Sequence, residues 1–248
     1  MLGRVAARPM KSVRDAAHKA VELVRLGRAE VLMKGSLSTD ELLAAVVKRD
    51  TGLRTGRRLS HCFIMDVPSL DKALIITDAA INIFPTLEEK VDIVQNAIEL
   101  AHCLNNPEPK VAILSAMEKV NPKLDSTIEA AALCKMADRG QITGGLLEGP
   151  LALDNAISPE AARIKNIKGP VAGVADILVV PDLEAGNMLA KSLSFLMNAD
   201  SAGIVLGARV PITLTSRADS LQARLASCAV AVLVAHRRRE KIAKGESS

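Results

Sequence analysis

Short apolar runs alternate with longer amphipathic segments along almost the whole of this chain, and that alternation constrains its fold more than any other feature. Val13, Ala16, Ala17, Ala20, Val21 and Val24 follow helical spacing, with Gly27 placed as a helix C-terminal glycine. A short strand is expected over Glu30 to Met33, and a helix from Thr39 with Asp40 and Glu41 in its first turn. The runs Cys62 to Met65 and Leu74 to Ile76, separated by Pro68 and Ser69, read as two strands joined by a turn. Thr86 with Glu89 and Ser126 with Glu129 read as capping boxes, the first opening a helix to about Leu104. Val111 to Leu114, Ile142 to Leu147, Ile177 to Val180, Ile204 to Leu206 and Ile212 to Leu214 are further strand candidates. Ser158-Pro159 opens a helix, and a terminal helix is expected from about Asp219 to Arg239. Strands that trade places with helices in this way predict an α/β fold, with parallel pairing and helices on both faces of the sheet.

At 248 residues the chain has ample length for a sizeable core in one or two domains. With only Phe63, Phe84 and Phe195 as aromatics it lacks stacking platforms, which argues against a reader of nucleic acid. The apolar run Ala226 to Ala235 is too short to span a bilayer, and no secretory signal is visible near Met1, so a cytoplasmic protein is the expectation. Cys62, Cys103, Cys134 and Cys228 have neither zinc-site nor disulfide-framework spacing and read as reduced thiols; no metal site is expected. Charge is uneven: residues 1–60 carry 13 Lys/Arg against 6 Asp/Glu, and residues 236–248 carry 5 against 2. These basic ends are expected to face an anionic ligand.

Ligands of open α/β sheets bind in loops that follow strands. Three such loops carry chemistry. In the first, Lys34-Gly35-Ser36-Leu37-Ser38-Thr39 offers a cation, a glycine, hydroxyls and a helix N-terminus, which suits an anion. The same residues would also serve as a plain turn with Thr39 as N-cap. In the second, Asn82 either fixes a substrate carbonyl or braces the turn after a strand. In the third, Ser216, Arg217 and Asp219 place a hydroxyl, a guanidinium and a carboxylate within four residues, although Asp219 also reads as a helix N-cap. His61, beside Cys62 on a strand, reads as structural.

The segments Lys34 to Leu43, Ile75 to Asn82, Ser115 to Gly140, Gly149 to Ala156, Pro181 to Leu189, Leu206 to Pro211 and Ser216 to Ser220 together resemble the phosphate acetyltransferase and phosphate butyryltransferase family. The resemblance implies two α/β domains of the isocitrate/isopropylmalate dehydrogenase-like type with the active site in the cleft between them. It implies a homodimer, and transfer of an acetyl or short acyl group such as butyryl between coenzyme A and inorganic phosphate. Coenzyme A is then a substrate, and no resident cofactor is expected. By this resemblance Ser216 and Arg217 hold the thiol and the phosphate, and the loop from Ser36 to Thr39 adds phosphate contacts. Lys34, Gly35 and Asn82 complete the substrate-binding set. Where family members carry a catalytic aspartate this chain has Gln222 and Ala223, which leaves Asp219 as the nearest carboxylate. Residues 1–60 with 208–248 are expected to form a partial first domain and residues 61–207 the second. Because family members begin with additional residues, the alternative expectation is an inactive truncated remnant or a regulatory subunit of the same fold.

Overall fold

The computed structural model describes residues 9–216 and 219–245. Arg217, a central candidate of the third loop, lies outside the described residues together with Ala218. The chain begins with α1 (Val13–Arg25), β1 (Leu32–Met33) and α2 (Thr39–Val46). Ser12 caps α1 by accepting the Asp15 N–H, and Gly27 ends it at φ +68, a conformation that costs glycine least. Next come β2 (Ser60–Asp66), β3 (Leu74–Thr77), α3 (Leu87–Cys103), β4 (Lys110–Leu114), α4 (Asp125–Asp138) and β5 (Leu146–Leu151). The short helices α5 (Leu153–Ile157) and α6 (Pro159–Ile164) lead to β6 (Ile177–Val179), α7 (Leu183–Leu196), β7 (Asp200–Leu206), β8 (Ile212–Thr213) and α8 (Leu221–Ala243).

Among the described residues eight strands join one sheet in the order β1-β8-β7-β2-β3-β6-β4-β5. The expectation of α/β architecture holds, whereas uniformly parallel pairing does not. β2 runs antiparallel to both neighbours, and β7 is antiparallel to β8. The cause is local: a connection of a few residues between β2 and β3 reverses the chain, because a parallel crossover needs a dozen residues or more. Parallel pairing survives for β1 with β8 and for β3, β6, β4 and β5.

Three apolar cores sit on this sheet. One places α3, α4 and α8 against Cys62, Ile75, Val111 and Ile204. A second, on the other face, gathers Met65, Ile76, Leu178 and Val180 beneath α7. The third joins α1 and α2 to Leu53, Val205 and Ile212. Alternate side chains of β2 point to opposite faces, so Cys62 enters the first core while Phe63 packs against the second.

Three helix caps and one strand differ from expectation. The Thr86–Glu89 capping box forms in both directions, but Ser126 and Glu129 do not cap α4. The Ser126 hydroxyl is bonded to that of Ser115 at 2.8 Å, and Glu129 is drawn into an ion pair with Lys90. Tertiary partners outcompete the local cap. Ser38 rather than Thr39 caps α2, and Ser220 rather than Asp219 caps α8. β5 begins at Leu146, later than the Ile142 start that apolarity suggested.

Candidate functional site

The parallel pairing of β1 with β8 places the ends of two distant segments side by side: Leu32 is in register with Ile212 and Met33 with Thr213. The Lys34 N–H extends this ladder to the Thr213 carbonyl at 3.0 Å. Beyond that point lie residues 34–38 after β1 and, of the segment after β8, the described residues 214–216 and 219–220, with α2 and α8 following. Both loops face one cleft of about 550 Å³, which α7 and the start of β7 close on the other side.

Each loop is locally fixed. Ser38 accepts the Glu41 N–H while the Glu41 carboxylate accepts the Ser38 N–H, a complete capping box. These bonds from Ser38 hold the Glu41 carboxyl below its ordinary range. Lys34 is buried, and its ammonium donates to the carbonyls of Gly35 at 3.3 Å and Leu37 at 3.2 Å. Its charge is thus held at the cleft wall by neutral acceptors. In the other loop Asp219 accepts the Ser216 N–H at 2.6 Å, and Ser220 caps α8. The N-terminal turns of α2, through Ser38 and Thr39, and of α8, through Ser220 and Ala223, both line the cleft. Two helix N-termini aimed at one space favour a bound anion.

The structure brings Lys34, Thr39, Ser216 and Asp219 to this wall. Gly35 and Ser36 occupy the exposed bend of the loop outside it, and a Cβ on Gly35 would meet nothing within 4 Å. Asn82 takes the bracing position that was its other reading. Its amide donates to Asp78 at 2.5 Å and to the Leu59 carbonyl at 2.8 Å, and its oxygen accepts from Arg58 at 2.8 Å. The basic C-terminal residues do not face the cleft, contrary to expectation. Arg237 and Arg238 line a cavity elsewhere, and Arg239 pairs with Glu30 at 3.3 Å.

Sequence reasoning missed the opposite wall. Asn187, Lys191 and Phe195 form an i, i+4, i+8 stripe of α7 along the cleft. Lys191 adds a second cation there, and Phe195 keeps 74% of its surface exposed. The spacing was legible, but a mixed stripe on an exposed helix looks like any solvated face. His61, expected to be structural, also lines the cleft. It is buried edge-on to Phe63 at 4.4 Å between ring centroids, and its Nδ1 has no hydrogen-bond partner. Burial pulls its pKa down to about 4, against the opposing pull of Asp78 and Asp219, so the ring is neutral near pH 7. Cys62 lies behind this wall with its thiol pushed up to about 12 by burial, and Cys134 is likewise raised to about 12. Neither thiol is poised as a nucleophile.

Among the described residues no helix is long and apolar enough to cross a membrane, and no cluster of His, Cys, Asp and Glu could hold a metal. A family model described as phosphate acetyl/butaryl transferase matches residues 2–232. A phosphate acetyltransferase of Rhizobium meliloti is 71% identical over 224 residues, covering 90% of this chain and 71% of the relative. A phosphate butyryltransferase of Clostridium acetobutylicum is 46% identical over 224 residues, covering 90% and 74%. Among solved structures, a branched-chain phosphotransacylase from Enterococcus faecalis V583 superposes with a TM-score of 0.85 at 38% identity, over 92% of this chain and 81% of that one.

Proposed function

The chain belongs to the phosphate acetyl/butaryl transferase family, and on that premise we propose how its cleft carries out phosphate acyl transfer. The protein is an enzyme that moves a short acyl group between coenzyme A and inorganic phosphate. Acetyl is the first choice of acyl group and butyryl the second, in line with the higher identity to the acetyltransferase. The observation that carries the assignment of the site is the convergence of residues 34, 37 and 38 and of residues 214–216, 219 and 220, with the helix N-termini that follow them, on one cleft.

Transfer is direct, within a complex of both substrates. The thiol sulfur of coenzyme A attacks the carbonyl carbon of the acyl phosphate, a C–S bond forms, the C–O bond to phosphate breaks, and phosphate departs with the bonding pair. Lys34, the N-terminus of α2 at Ser38 and Thr39, and Arg217 hold the phosphate oxygens, where their charge matters most as the leaving group gains negative charge. Ser216 steers the thiol, and Asp219 accepts its proton. Asn82 supports this wall from behind by bracing the loop after β3. Coenzyme A serves as a substrate and no resident cofactor takes part. The reading places the enzyme in the cytoplasm.

The two lobes of the reading are residues 1–60 with 208–248 and residues 61–207. In support, α1, α2 and β8 share a core of their own, although the sheet continues from one lobe to the other and α8 packs chiefly on the larger. A homodimer is the expected assembly, and a monomeric mass by light scattering at micromolar concentration would contradict it.

A coupled assay for acyl phosphate formed from acetyl-, propionyl- and butyryl-coenzyme A tests the reading. Turnover fastest with acetyl supports it, turnover fastest with butyryl reverses the order of acyl groups, and no turnover with any of the three removes it.

A further inference from the structure

On the sheet face opposite α7, a second cavity of about 460 Å³ lies between α3, the C-terminal half of α8 and residues 55–57. It shares no lining residue with the acyl-transfer cleft. Five cationic side chains line it, Arg57, Arg209, Arg237, Arg238 and Lys241, against the single carboxylate of Glu99. Arg57 already occupies that carboxylate at 2.5 Å. Among the described residues Arg209 and Lys241 have no ion-pair partner.

Two of the guanidiniums are held in place, Arg238 by a neutral acceptor and Arg237 by an ion pair that leaves its side chain 39% exposed. Arg238 donates to the Ala208 carbonyl at 3.0 Å, a neutral acceptor, and burial lowers its pKa. Arg237 is anchored from outside by Asn105 at 2.7 Å and Glu240 at 3.1 Å, while its Nε is buried without a partner. Removing the Arg238 guanidinium from water is costly unless an anion compensates it. The buried Leu100, Leu206, Ala208 and Val234 form an apolar floor, and the exposed Ile242 adds apolar surface to the lining.

We propose that this cavity is a non-catalytic binding site for a small organic phosphate of nucleotide type. Arg209, Arg237, Arg238 and Lys241 grip the phosphates, and the organic part lies on the apolar floor. Arginine forks match phosphate oxygens bidentately, and the volume falls within the roughly 300–1,000 Å³ of small-molecule sites. An inorganic anion would leave the floor unused. A neighbouring groove of about 500 Å³ shares Cys103, Arg237 and Lys241 with it.

The test is binding by calorimetry on the full chain, with adenosine diphosphate and with pyrophosphate as probes. Coenzyme A itself carries an adenosine diphosphate group, so the acyl-transfer cleft is controlled for by the cleft variant Lys34→Gln/Arg217→Gln. The cavity is tested by Arg209→Gln/Lys241→Gln, two side chains without ion pairs, and separately by Arg238→Gln. Expected is adenosine diphosphate binding that survives in the cleft variant and weakens about tenfold or more in each cavity variant, as loss of a charge-assisted bond implies. Pyrophosphate should bind more weakly than the nucleotide. Loss in the cleft variant alone, or cavity variants that bind like the parent, would overturn the site. Pyrophosphate binding as tightly as the nucleotide would overturn the role of the floor. No turnover is measured, so the result stands apart from the acyl-transfer assignment.

Discussion

The backbone N–H of Ser216 donates to Oδ2 of Asp219 at 2.6 Å, and the Asp219 N–H returns to the Ser216 carbonyl at 3.3 Å. One carboxylate therefore shapes the loop in which a proton acceptor is proposed. The two roles separate by substitution. Asp219→Asn keeps an oxygen for the Ser216 N–H but loses the basic group. It should lower kcat by about a hundredfold or more, the usual range for a lost general base, and leave the phosphate KM close to the parent's. An Asn variant with the parent's kcat would reduce Asp219 to a loop bracket.

Arg217→Gln should raise the phosphate or acyl-phosphate KM about ten- to a hundredfold, the value of a charged bidentate contact. Its thermal midpoint should match the parent's. Steady-state kinetics with phosphate varied decides the matter, and an unchanged KM would take Arg217 out of the phosphate site.

His61 imposes a pH dependence on stability. Its pKa is about 4 in the fold against an ordinary 6.5, because burial disfavours the charged ring. Between those values the unfolded chain binds a proton that the folded chain refuses. Stability is therefore complete above about pH 6.5 and falls as the pH drops toward 4, by on the order of a few kcal/mol. Urea denaturation of the parent and of His61→Gln from pH 7.5 to 4.5 should show a shallower decline in the variant. Parallel profiles would mean that His61 does not contribute.

Gly186 sits where α7 meets the loop after β3: a Cβ there would lie 2.7 Å from Val180 Cγ2 and 2.9 Å from the Asp78 carbonyl. Overpacking of this kind costs about 1–3 kcal/mol, more than the gain of up to about 1 kcal/mol from alanine's better helix propensity. Gly186→Ala should lower Tm by about 2–8 °C in a chain of this size. It should also disturb the Asn187 and Lys191 wall, which a higher substrate KM would report.

Much of the architecture was legible because local signals agreed with tertiary needs. The spacing over Val13 to Val24, the Thr86–Glu89 box and the Ser158-Pro159 start each satisfied backbone groups that no other partner contests. The Ser126–Glu129 pattern failed because Ser115, just after the preceding strand, and Lys90, on α3, claimed those side chains. Uniform parallel pairing does not hold because the brevity of the β2–β3 connection already requires a reversal. In the site, the 34–38 and 214–220 loops were legible as strand-to-helix junctions, but their adjacency comes from the register of Met33 with Thr213, which no local pattern encodes. The wall of α7 and the place of His61 were not legible, since both depend on which face the sheet presents to the cleft.

The sheet is not equally strong along its width. β7 is zipped to β2 from Ser60↔Leu206 to Asp66↔Asp200, yet it meets β8 only at Val205↔Ile212. That narrow seam lies within the third core, to which Val205 and Ile212 both belong, and one register position of backbone pairing holds it beside the cleft. A substrate that touches Lys34 on one side and Lys191 on the other spans the seam like a staple. Occupancy should therefore slow amide hydrogen exchange at Ile212 and Thr213 more than in the centre of β2, where the pairing is already continuous.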